Sequence, residues 1–547
     1  MSEAAQQLER RFDQLRTQRL PNETLWQEVF SYLAPERAIG WYESGVQDSA
    51  GTQAQAQRAR IYDSTAIDSA EVLKSNIASW MTPDNSLWFG LDAGQQDEQA
   101  TAWMDGAARF LFEHIHSAGF TAVAGECYSD IVPAGWFVLY IDEGRDEQGR
   151  PAGGFNFEQW PLFQCYVASS KPAGRVDTIY RVFSPTVEQV VAEYGIDKVS
   201  DETAKKYSDG KLTEKVEMLW AIEPRRDGQY GAALAKNLPF RSCHMERQKK
   251  HIVRESGYHE FPCAVPRWRL IPGTPYATGL GSNVLPDVKT LNDIIRLELM
   301  SLDIAVGGMW KVVDDGVLNP KTIRIGPRKV IAMASLESMA ALETGANFNV
   351  AFSKADQLRQ SIRRALLADM LTPQGGPVRS ATEIARDMNQ IRQLMAPLVG
   401  RFQSEFLQVL IERCFNIAFR AGALTAALGP VPEGLLNGDY VVRYISPLAR
   451  SQKMEEVTAI DSFLAGLLAL AGATQDMTVL DNVKVDPAMY EKGKALGVPG
   501  NLLRGPDELA EKRDMDAKNK QAAQKQVQQE QIQQQAATAA IDASVAA

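Results

Sequence analysis

The feature that most constrains the fold of this chain is a long amphipathic segment placed directly behind a glycine-rich loop. The loop, LTPQGGPVRS, occupies residues 371–380, and its Gly and Pro residues favour turns over helix. Ser380 and Glu383 have the spacing of a capping box, in which each side chain accepts a hydrogen bond from an otherwise unpaired backbone N–H group. The sequence therefore predicts a long helix over residues 381–421.

This predicted helix has one apolar face and two residues that disturb it. Apolar residues recur at spacings of three and four from Ile384 to Val409. Pro397 removes one backbone hydrogen bond, and Gly400 lies nearby, so we expect a kink around these two residues. The helix is expected to end at Gly422. At 1.5 Å per residue it is roughly 60 Å long, which is longer than a helix of an ordinary globular core. The alternative interpretation is a long helix within a large all-α domain.

Length and charge limit the class of protein. A chain of 547 residues with 45% apolar residues is long enough for several domains with buried cores. The formal net charge of −10 and the sequence pI near 5.3 argue against a protein that grips nucleic acid through a basic surface.

Cysteine usage and hydropathy predict a soluble protein made inside the cell. The cysteines are odd in number and widely scattered, which a reducing compartment allows. The charged, amphipathic N-terminus does not resemble a signal peptide, and the most apolar run, residues 463–473, is too short for a membrane span. The cysteines are Cys127, Cys165, Cys243, Cys263 and Cys414.

Hydrophobic periodicity predicts an α+β chain that is mostly helical. Two helices are expected within residues 1–38, with the second starting at Pro21 and Asn22. Period-two patterns, typical of strands, run from residue 120 to residue 240. Further helices are predicted over residues 61–82, 98–118, 184–195, 286–308, 353–371, 451–475 and 486–498.

The middle of the chain has the order helix, small β insertion, helix, Gly-Gly loop and long helix. The insertion lies between the helices predicted at 286–308 and 353–371, and short strands are expected within residues 309–333. The end of the chain, residues 507–547, is rich in Gln and Ala with few large apolar residues. It is expected to be either disordered or a helix that needs partners.

The sequence contains no motif that points to catalysis or to a cofactor. It has no G-x-x-x-x-G-K-[ST] phosphate loop, and GLGSNV at residues 279–284 lacks the third glycine of a dinucleotide fingerprint and is interpreted as a turn. One group resembles a metal site, but the intervals between its residues are loose for zinc. These intervals favour the interpretation of scattered surface His and buried Cys instead. This group is Cys243, His244, His251, His259 and Cys263. We expect no catalytic residue, no cofactor and no metal.

Several segments taken together carry a family resemblance. They include RIYDSTAIDSAEVLKSNIASWMTPDNSLWFGL near the start, GRVDTIYRVFSPTVEQVVAEYG further along, and YATGLGSNVLPDVKTLNDIIRLELMSLDIAVGGMW before the insertion. The long-helix segment SATEIARDMNQIRQLMAPLVGRFQSEFLQVLIERCF follows, and SPLARSQKMEEVTAI and VDPAMYEKGKALGVPGNLLRGPDELAEKR lie near the end. In register from about residue 5 to about residue 520, the chain resembles the head-to-tail connector (portal) proteins of short-tailed tailed phages.

The resemblance implies a portal-type fold with wing, stem, clip and crown, in a ring of usually about twelve copies at one capsid vertex. Carried onto this sequence, it implies the following division. The wing covers residues 1–285, the first stem helix 286–308, the clip 309–352, the second stem helix 353–370, the tunnel loop 371–380, the kinked long helix and crown 381–506, and a C-terminal helical barrel or disordered tail 507–547.

The resemblance also implies a conduit for double-stranded DNA during packaging and ejection, and an attachment point for the tail. The implied partners are the DNA, other copies of the chain, the terminase large subunit, the major capsid and scaffolding proteins, and a tail adaptor protein. The implied location is the virion, after assembly in the host cytoplasm, and no membrane partner is expected.

Residues before and within the implied tunnel loop are the candidates for contact with DNA in the channel. An acidic lining favours sliding, because each Lys or Arg held against phosphate adds affinity and ring symmetry multiplies each one. The alternative is that the basic side chains form salt bridges with neighbours such as Asp356 and Asp369, or with an adjacent copy. The candidates are Lys354, Arg359, Arg363, Arg364, Gln374, Gly375, Gly376 and Arg379.

Two other functions stay open from the sequence. One is an internal core or scaffolding protein of the virion, and the other is a nucleic-acid packaging enzyme. The missing phosphate loop argues against the enzyme.

Overall fold

The structure, a computed structural model, has two compact units and mixes helix with strand. It is about 59% helical, which agrees with the expected α+β class. One unit comprises Met1–Asp84 and Leu111–Leu424, and the other Asn85–Phe110 and Thr425–Ala547. The structure describes residues 3–42, 55–92, 98–145, 151–172, 174–226, 228–229, 234–307, 310–312, 339–341, 348–371, 399–432, 441–444, 457, 459–470, 487–489, 492–493, 509, 512–513 and 515.

The helices are numbered here in chain order. They are α1 (Glu3–Leu33), α2 (Thr65–Met81), α3 (Glu98–Ser117), α4 (Phe120–Ala134), α5 (Val187–Tyr194), α6 (Asp201–Ser208), α7 (Leu280–Gly307), α8 (Phe348–Ala365), α9 (Ala368–Leu371), α10 (Gln408–Arg420) and α11 (Ala423–Leu428). Residues 459–470 are also helical.

The strands form small antiparallel sheets. They are β1 (Phe89–Asp92), β2 (Leu139–Arg145), β3 (Pro151–Gln159), β4 (Cys165–Ala168), β5 (Thr178–Phe183), β6 (Met218–Pro224), β7 (Phe240–Glu246), β8 (His251–Tyr258), β9 (Cys263–Ala264), β10 (Arg269–Leu270), β11 (Ala277–Thr278), β12 (Trp310–Val312), β13 (Met339–Ala341) and β14 (Val441–Tyr444). The largest sheet has the order β4-β5-β6-β7-β8, and a second has the order β3-β2-β9. In the other unit, β1 pairs with β14.

The five-stranded sheet is covered by helices that the sequence pattern anticipated. The apolar face of α1, with Leu8 and Phe12, packs on Tyr180 and Leu219 of the sheet. Helix α5 packs through Val187 and Val190 and begins with a capping box between Thr186 and Gln189, which confirms the predicted helix at 184–195.

The N-terminal segment is one helix, so the prediction of two helices divided at Pro21 is wrong. Pro21 lies inside α1. Buried residues on both sides of it keep the helix continuous, and the buried Arg19 guanidinium donates to the backbone carbonyls of Leu162 and Cys165 at 3.1 and 2.6 Å. It also pairs with Glu23 on the next turn. Tertiary contacts therefore compensate for the hydrogen bond that proline removes.

Two further predictions are corrected in the first unit. The period-two pattern does not begin at residue 120, because Phe120–Ala134 is the helix α4, with Phe120, Ala124 and Tyr128 buried at helical spacing. The predicted turn at 279–284 is also wrong, since α7 starts at Leu280 and contains Pro286. A Cβ atom on Gly281 would lie within about 3 Å of Val29, Leu33 and Pro133, so this glycine lets the start of α7 pack closely on its neighbours.

The helix predicted at 353–371 is longer at its start and interrupted near its end. Helix α8 begins at Phe348 and ends at Ala365. Leu367 has a φ angle of +61°, which a continuing right-handed helix does not allow, and α9 follows it. The strands β12 and β13 lie between α7 and α8 and pair with each other, as expected for a small β insertion.

The described part of the long helix contains a wide turn that the sequence did not predict. Residues 399–402 are α-helical, Gln403–Leu407 form a π-helical segment, and α10 continues to Arg420. Gly422 follows with a φ angle of +72°, which confirms the predicted end. Pro397 lies outside the described residues, and Gly400 is within a regular turn.

A buried ion pair holds the π-helical segment against the β-rich part of the same unit. Glu405 accepts hydrogen bonds from the Nε and Nη2 atoms of Arg267 at 3.0 and 2.7 Å, and from the Arg267 backbone N–H at 3.1 Å. The side chains are 3% and 11% exposed, so both charges depend on each other for solvation. Phe402 and Phe406 flank Glu405 and pack on Phe137.

Replacing Glu405 by Gln should destabilise this unit strongly. The substitution leaves Arg267 buried without its counter-charge, which costs about 3–5 kcal/mol when one partner of a buried pair is removed. Urea unfolding followed by tryptophan fluorescence would measure the shift. The control is Arg175→Gln, which removes only an exposed hydrogen bond to Gln408. Equal unfolding midpoints for E405Q and R175Q would contradict the assignment.

Candidate functional site

The helices α7 and α8, which carry most of the described candidate residues, form an antiparallel pair. They are joined through the β12–β13 pair, and Ser361 near the end of α8 donates to Asp287 near the start of α7 at 3.0 Å. The buried face of α8 has Ala355, Leu358 and Ile362 at helical spacing. One face of α8 is thus fixed inward, and the positions of its other residues follow from this.

Residues at the start of α2 fix the helix pair. The Asp63 carboxylate accepts from the Thr65 backbone N–H and from the Arg359 Nε atom, each at 2.9 Å. On α7, Asn292 accepts from the Tyr62 backbone N–H at 2.7 Å and donates to the Arg60 carbonyl at 2.8 Å. The segment 60–65 therefore contacts both helices through directed hydrogen bonds.

The environment of Asp63 favours its charged form. Partial burial alone would raise the pKa of this carboxyl. The hydrogen bonds from Thr65 and the pairing with Arg359 lower it by more, so the net pKa is below 3.8, its ordinary value. Asp63 was not among the candidates taken from the sequence. Its position just before a helix start was the available signal, but nothing in the sequence linked it to a helix almost three hundred residues later.

The four candidate cations on α8 do not form one basic stripe. Arg359 pairs with Asp63 and with Asp356, both at 2.9 Å, so for this residue the alternative of a salt bridge to Asp356 is found. Lys354, Arg363 and Arg364 are exposed. At 100° per residue, Arg364 lies nearly opposite the buried face, whereas Lys354 and Arg363 lie on its two sides. The candidates Gln374, Gly375, Gly376 and Arg379 lie outside the described residues.

Polar side chains without charge surround Arg364 on the outer face of α8. Gln357 and Gln360 lie one to two turns before it, and all three are exposed. The chain therefore presents a weakly charged outer face here, with one central cation.

A second charged group, also missed by the sequence analysis, fixes the end of the long helix. Glu260 accepts from Arg413 Nη1 at 2.8 Å and from Arg420 at 2.7 and 3.2 Å. Partial burial raises the pKa of Glu260, but the two guanidinium groups lower it, and the net pKa is below its ordinary value. The two Arg residues are seven positions apart and share one face of α10, which was the available signal.

The group that resembled a metal site is dispersed in the structure. His244 is buried in β7, stacks on Trp220 and has its Nδ1 atom 2.8 Å from the Tyr194 hydroxyl. Burial lowers the pKa of His244 to about 3. Cys243 and Cys263 are buried thiols. Among the described residues, no three His, Cys, Asp or Glu side chains are placed to hold a metal ion.

None of the described helices combines the length and the apolar character that a membrane span needs.

Comparison with known families decides the class of this protein. The family described as "Bacteriophage head to tail connecting protein" matches residues 5–503, which is most of the chain. The chain belongs to this family. The segments quoted in the sequence analysis predicted this family, so the family resemblance is confirmed.

Two relatives match nearly the whole head to tail connecting protein. It is 28% identical to the "Probable portal protein" of Bordetella phage BPP-1, with 94% of this chain and 91% of the relative covered. It is 26% identical to the "Portal protein" of Salmonella phage epsilon15, with 93% and 90% covered. A solved chain titled "Virion of native gene transfer agent (GTA) particle" has a TM-score of 0.33 and 12% identity, covering 80% of this chain and 90% of that one.

Removing the Arg359 charge should weaken the attachment of α8 to α2 in a pH-dependent manner. Since the pKa of Asp63 is lowered by folding, this contribution is present above pH 3.8 and is lost as the pH falls through the lower folded value. Arg359→Gln should therefore reduce the unfolding midpoint at pH 7 and have less effect toward pH 3. Urea unfolding at both pH values would measure this.

The matched control removes the other partner of Arg359. Asp356 is 68% exposed, so Asp356→Asn should change the midpoint little at either pH. An R359Q effect of the same size at pH 7 and pH 3 would contradict the role of Asp63.

Proposed function

We propose that this chain is the portal protein of a phage, a ring at one capsid vertex through which double-stranded DNA enters and leaves. The observation that carries the proposal is the family match over residues 5–503, together with two relatives named portal proteins that align over more than nine-tenths of the chain. The ring attaches the head to the tail. Packaging is powered by a separate terminase large subunit, and the chain itself has no enzymatic role.

The proposed architecture follows the division implied by the resemblance. Helices α7 and α8 are the two stem helices, and the β12–β13 pair belongs to the clip. The β-rich part of the first unit belongs to the wing, and residues 381–506 form the long helix and crown. Residues 507–547 form a helical barrel or tail. The other partners are the major capsid and scaffolding proteins and a tail adaptor, and assembly takes place in the host cytoplasm.

The DNA-facing part of the proposed ring is the outer face of α8 and the loop behind it. Arg364 is the best supported contact, since it lies opposite the buried face among uncharged Gln side chains. Arg359 is the least suited of the four cations, because Asp63 and Asp356 already neutralise it. The residues Gln374, Gly375, Gly376 and Arg379 are proposed to approach the DNA from the tunnel loop.

The proposed function requires a closed ring. Front-to-back contacts between identical chains give rings when the rotation closes, and the expected number of copies is about twelve. Light scattering coupled to gel filtration should give a mass near a dozen copies of the 60.4 kDa chain. Negative-stain images should show rings with a central hole. A monomer at all concentrations, or rods in place of rings, would exclude the portal function.

Neutralising Arg364 should weaken the hold of the ring on DNA. Each Lys or Arg held against phosphate releases counterions, so R364Q rings should bind linear duplex DNA more weakly and with a shallower dependence on salt. The measurement is fluorescence anisotropy of labelled DNA at several salt concentrations. The control is Lys205→Gln, an exposed lysine on α6. Equal losses in R364Q and K205Q rings would show that Arg364 does not face the DNA.

A further inference from the structure

The far end of the α7–α8 pair exposes a group of large apolar side chains, called here the apolar tip. Each member is between 48% and 56% exposed, although most large apolar side chains of the described residues are buried. Exposed apolar residues concentrated in one place indicate an interaction surface, whereas single ones are normal. The apolar tip consists of Leu297, Leu299, Met300 and Leu302 on α7 and Phe352 on α8.

The apolar tip arises because the outer face of α7 changes character along the helix. Its first half is outwardly polar, with Pro286, Thr290 and Asp293 exposed at helical spacing. The same stripe continues as Leu297 and Met300, which are also exposed. The second half of this stripe is therefore apolar and exposed, unlike its polar first half.

The two helices contribute to the apolar tip at the same level. The Ser361–Asp287 hydrogen bond fixes their antiparallel register. Nine residues farther along each helix, toward the β12–β13 pair, Phe352 of α8 lies at the same level as Arg296 of α7. Along the axis of the pair, Phe352 is therefore within about one turn of Leu297 and Met300. The apolar tip thus lies at one end of the helix pair, with Leu299 and Leu302 on the side of α7 opposite Leu297 and Met300.

Charge decides how two copies can meet at the apolar tip. Lys354, Arg363 and Arg364 have no ion pair among the described residues, so pairing α8 with α8 would bring like charges together. On α7, by contrast, Asp293 pairs with Arg296 at 3.7 Å. Pairing α7 with α7 would leave Phe352 in water. Pairing α7 of one copy with α8 of the next covers Leu297, Met300 and Phe352 together, and it sets the α8 cations against a helix face that also carries Asp293.

We propose that the apolar tip is a front-to-back contact between copies, with Leu297 and Met300 of one copy packed on the Phe352 side of α8 in the next. This inference rests on the proposed ring and specifies which surfaces form it. Such a contact is heterologous, so it continues from copy to copy and closes a ring when the rotation between copies closes. It leaves Arg364 on a different face of α8, free to point toward the channel.

Site-directed cross-linking tests the contact and its direction. All five native cysteines are buried, so a new surface cysteine reacts selectively. Met300→Cys and Phe352→Cys chains would be produced separately and also co-assembled, then treated with a short bis-maleimide. We expect covalent dimers only in the co-assembled sample, because each cross-link must join one M300C chain to one F352C chain.

The outcomes separate this inference from the proposed function. Dimers formed by M300C or F352C alone would indicate a two-fold contact and overturn the front-to-back arrangement. Intact wild-type rings with no cross-link in any sample would overturn the apolar tip as a contact but leave the portal function standing. Failure of the wild-type chain to form rings, shown by its mass, would overturn the function itself.

Substitution gives a second, independent readout. The double variant Leu297→Gln, Met300→Gln should shift the population from rings to single chains by tenfold or more at equal concentration, measured by native mass spectrometry. The matched control is Leu20→Gln on α1, which is 58% exposed and distant from the pair in sequence. Circular dichroism checks that both variants fold. A ring population equal to that of L20Q would count against the contact.

Discussion

The attachment of Asp63 to Arg359 is the constraint on which the arrangement of the α7–α8 pair depends. Asp63 also accepts from the backbone at the start of α2, so one carboxylate joins a helix start to a helix face. With Asn292 on α7, it fixes the half of the pair that lies toward residues 287 and 361. The opposite half carries the apolar tip. Because one half of the α7–α8 pair is fixed, the direction in which the other half extends is fixed as well. A contact in the proposed ring requires this.

Buried charges fix the end of the long helix in a similar way. Arg267 and Glu405 hold the π-helical segment, and Glu260 holds Arg413 and Arg420. Buried ion pairs add little net stability compared with apolar packing, but breaking one is costly. They therefore select one position of the helix over neighbouring ones. Within the π turn Glu405 contacts Arg267, while Phe402 and Phe406 on either side stay in the core.

The sequence predicted the elements whose signals are local. Helices α3 and α5, strand β6 and the helix end at Gly422 follow from periodicity, capping and glycine placement. The errors came from long-range contacts. Pro21 stays within α1 because Arg19 is held by carbonyls far along the chain, and α7 begins early because Gly281 packs on α1 and α4. The role of Arg359 could not be read from the sequence either, since Asp63 meets it only in the folded chain.

The scatter of cations around α8 agrees with a helix that has three different neighbours. Its buried stripe faces its own chain, where Arg359 is neutralised by Asp63. The side with Phe352 and Arg363 would meet the next copy, and the side with Arg364 would meet the channel. A continuous basic stripe would serve neither purpose, because it would repel the neighbour and bind DNA too tightly for sliding. The distribution of the cations over separate faces thus suits the proposed ring that conducts DNA.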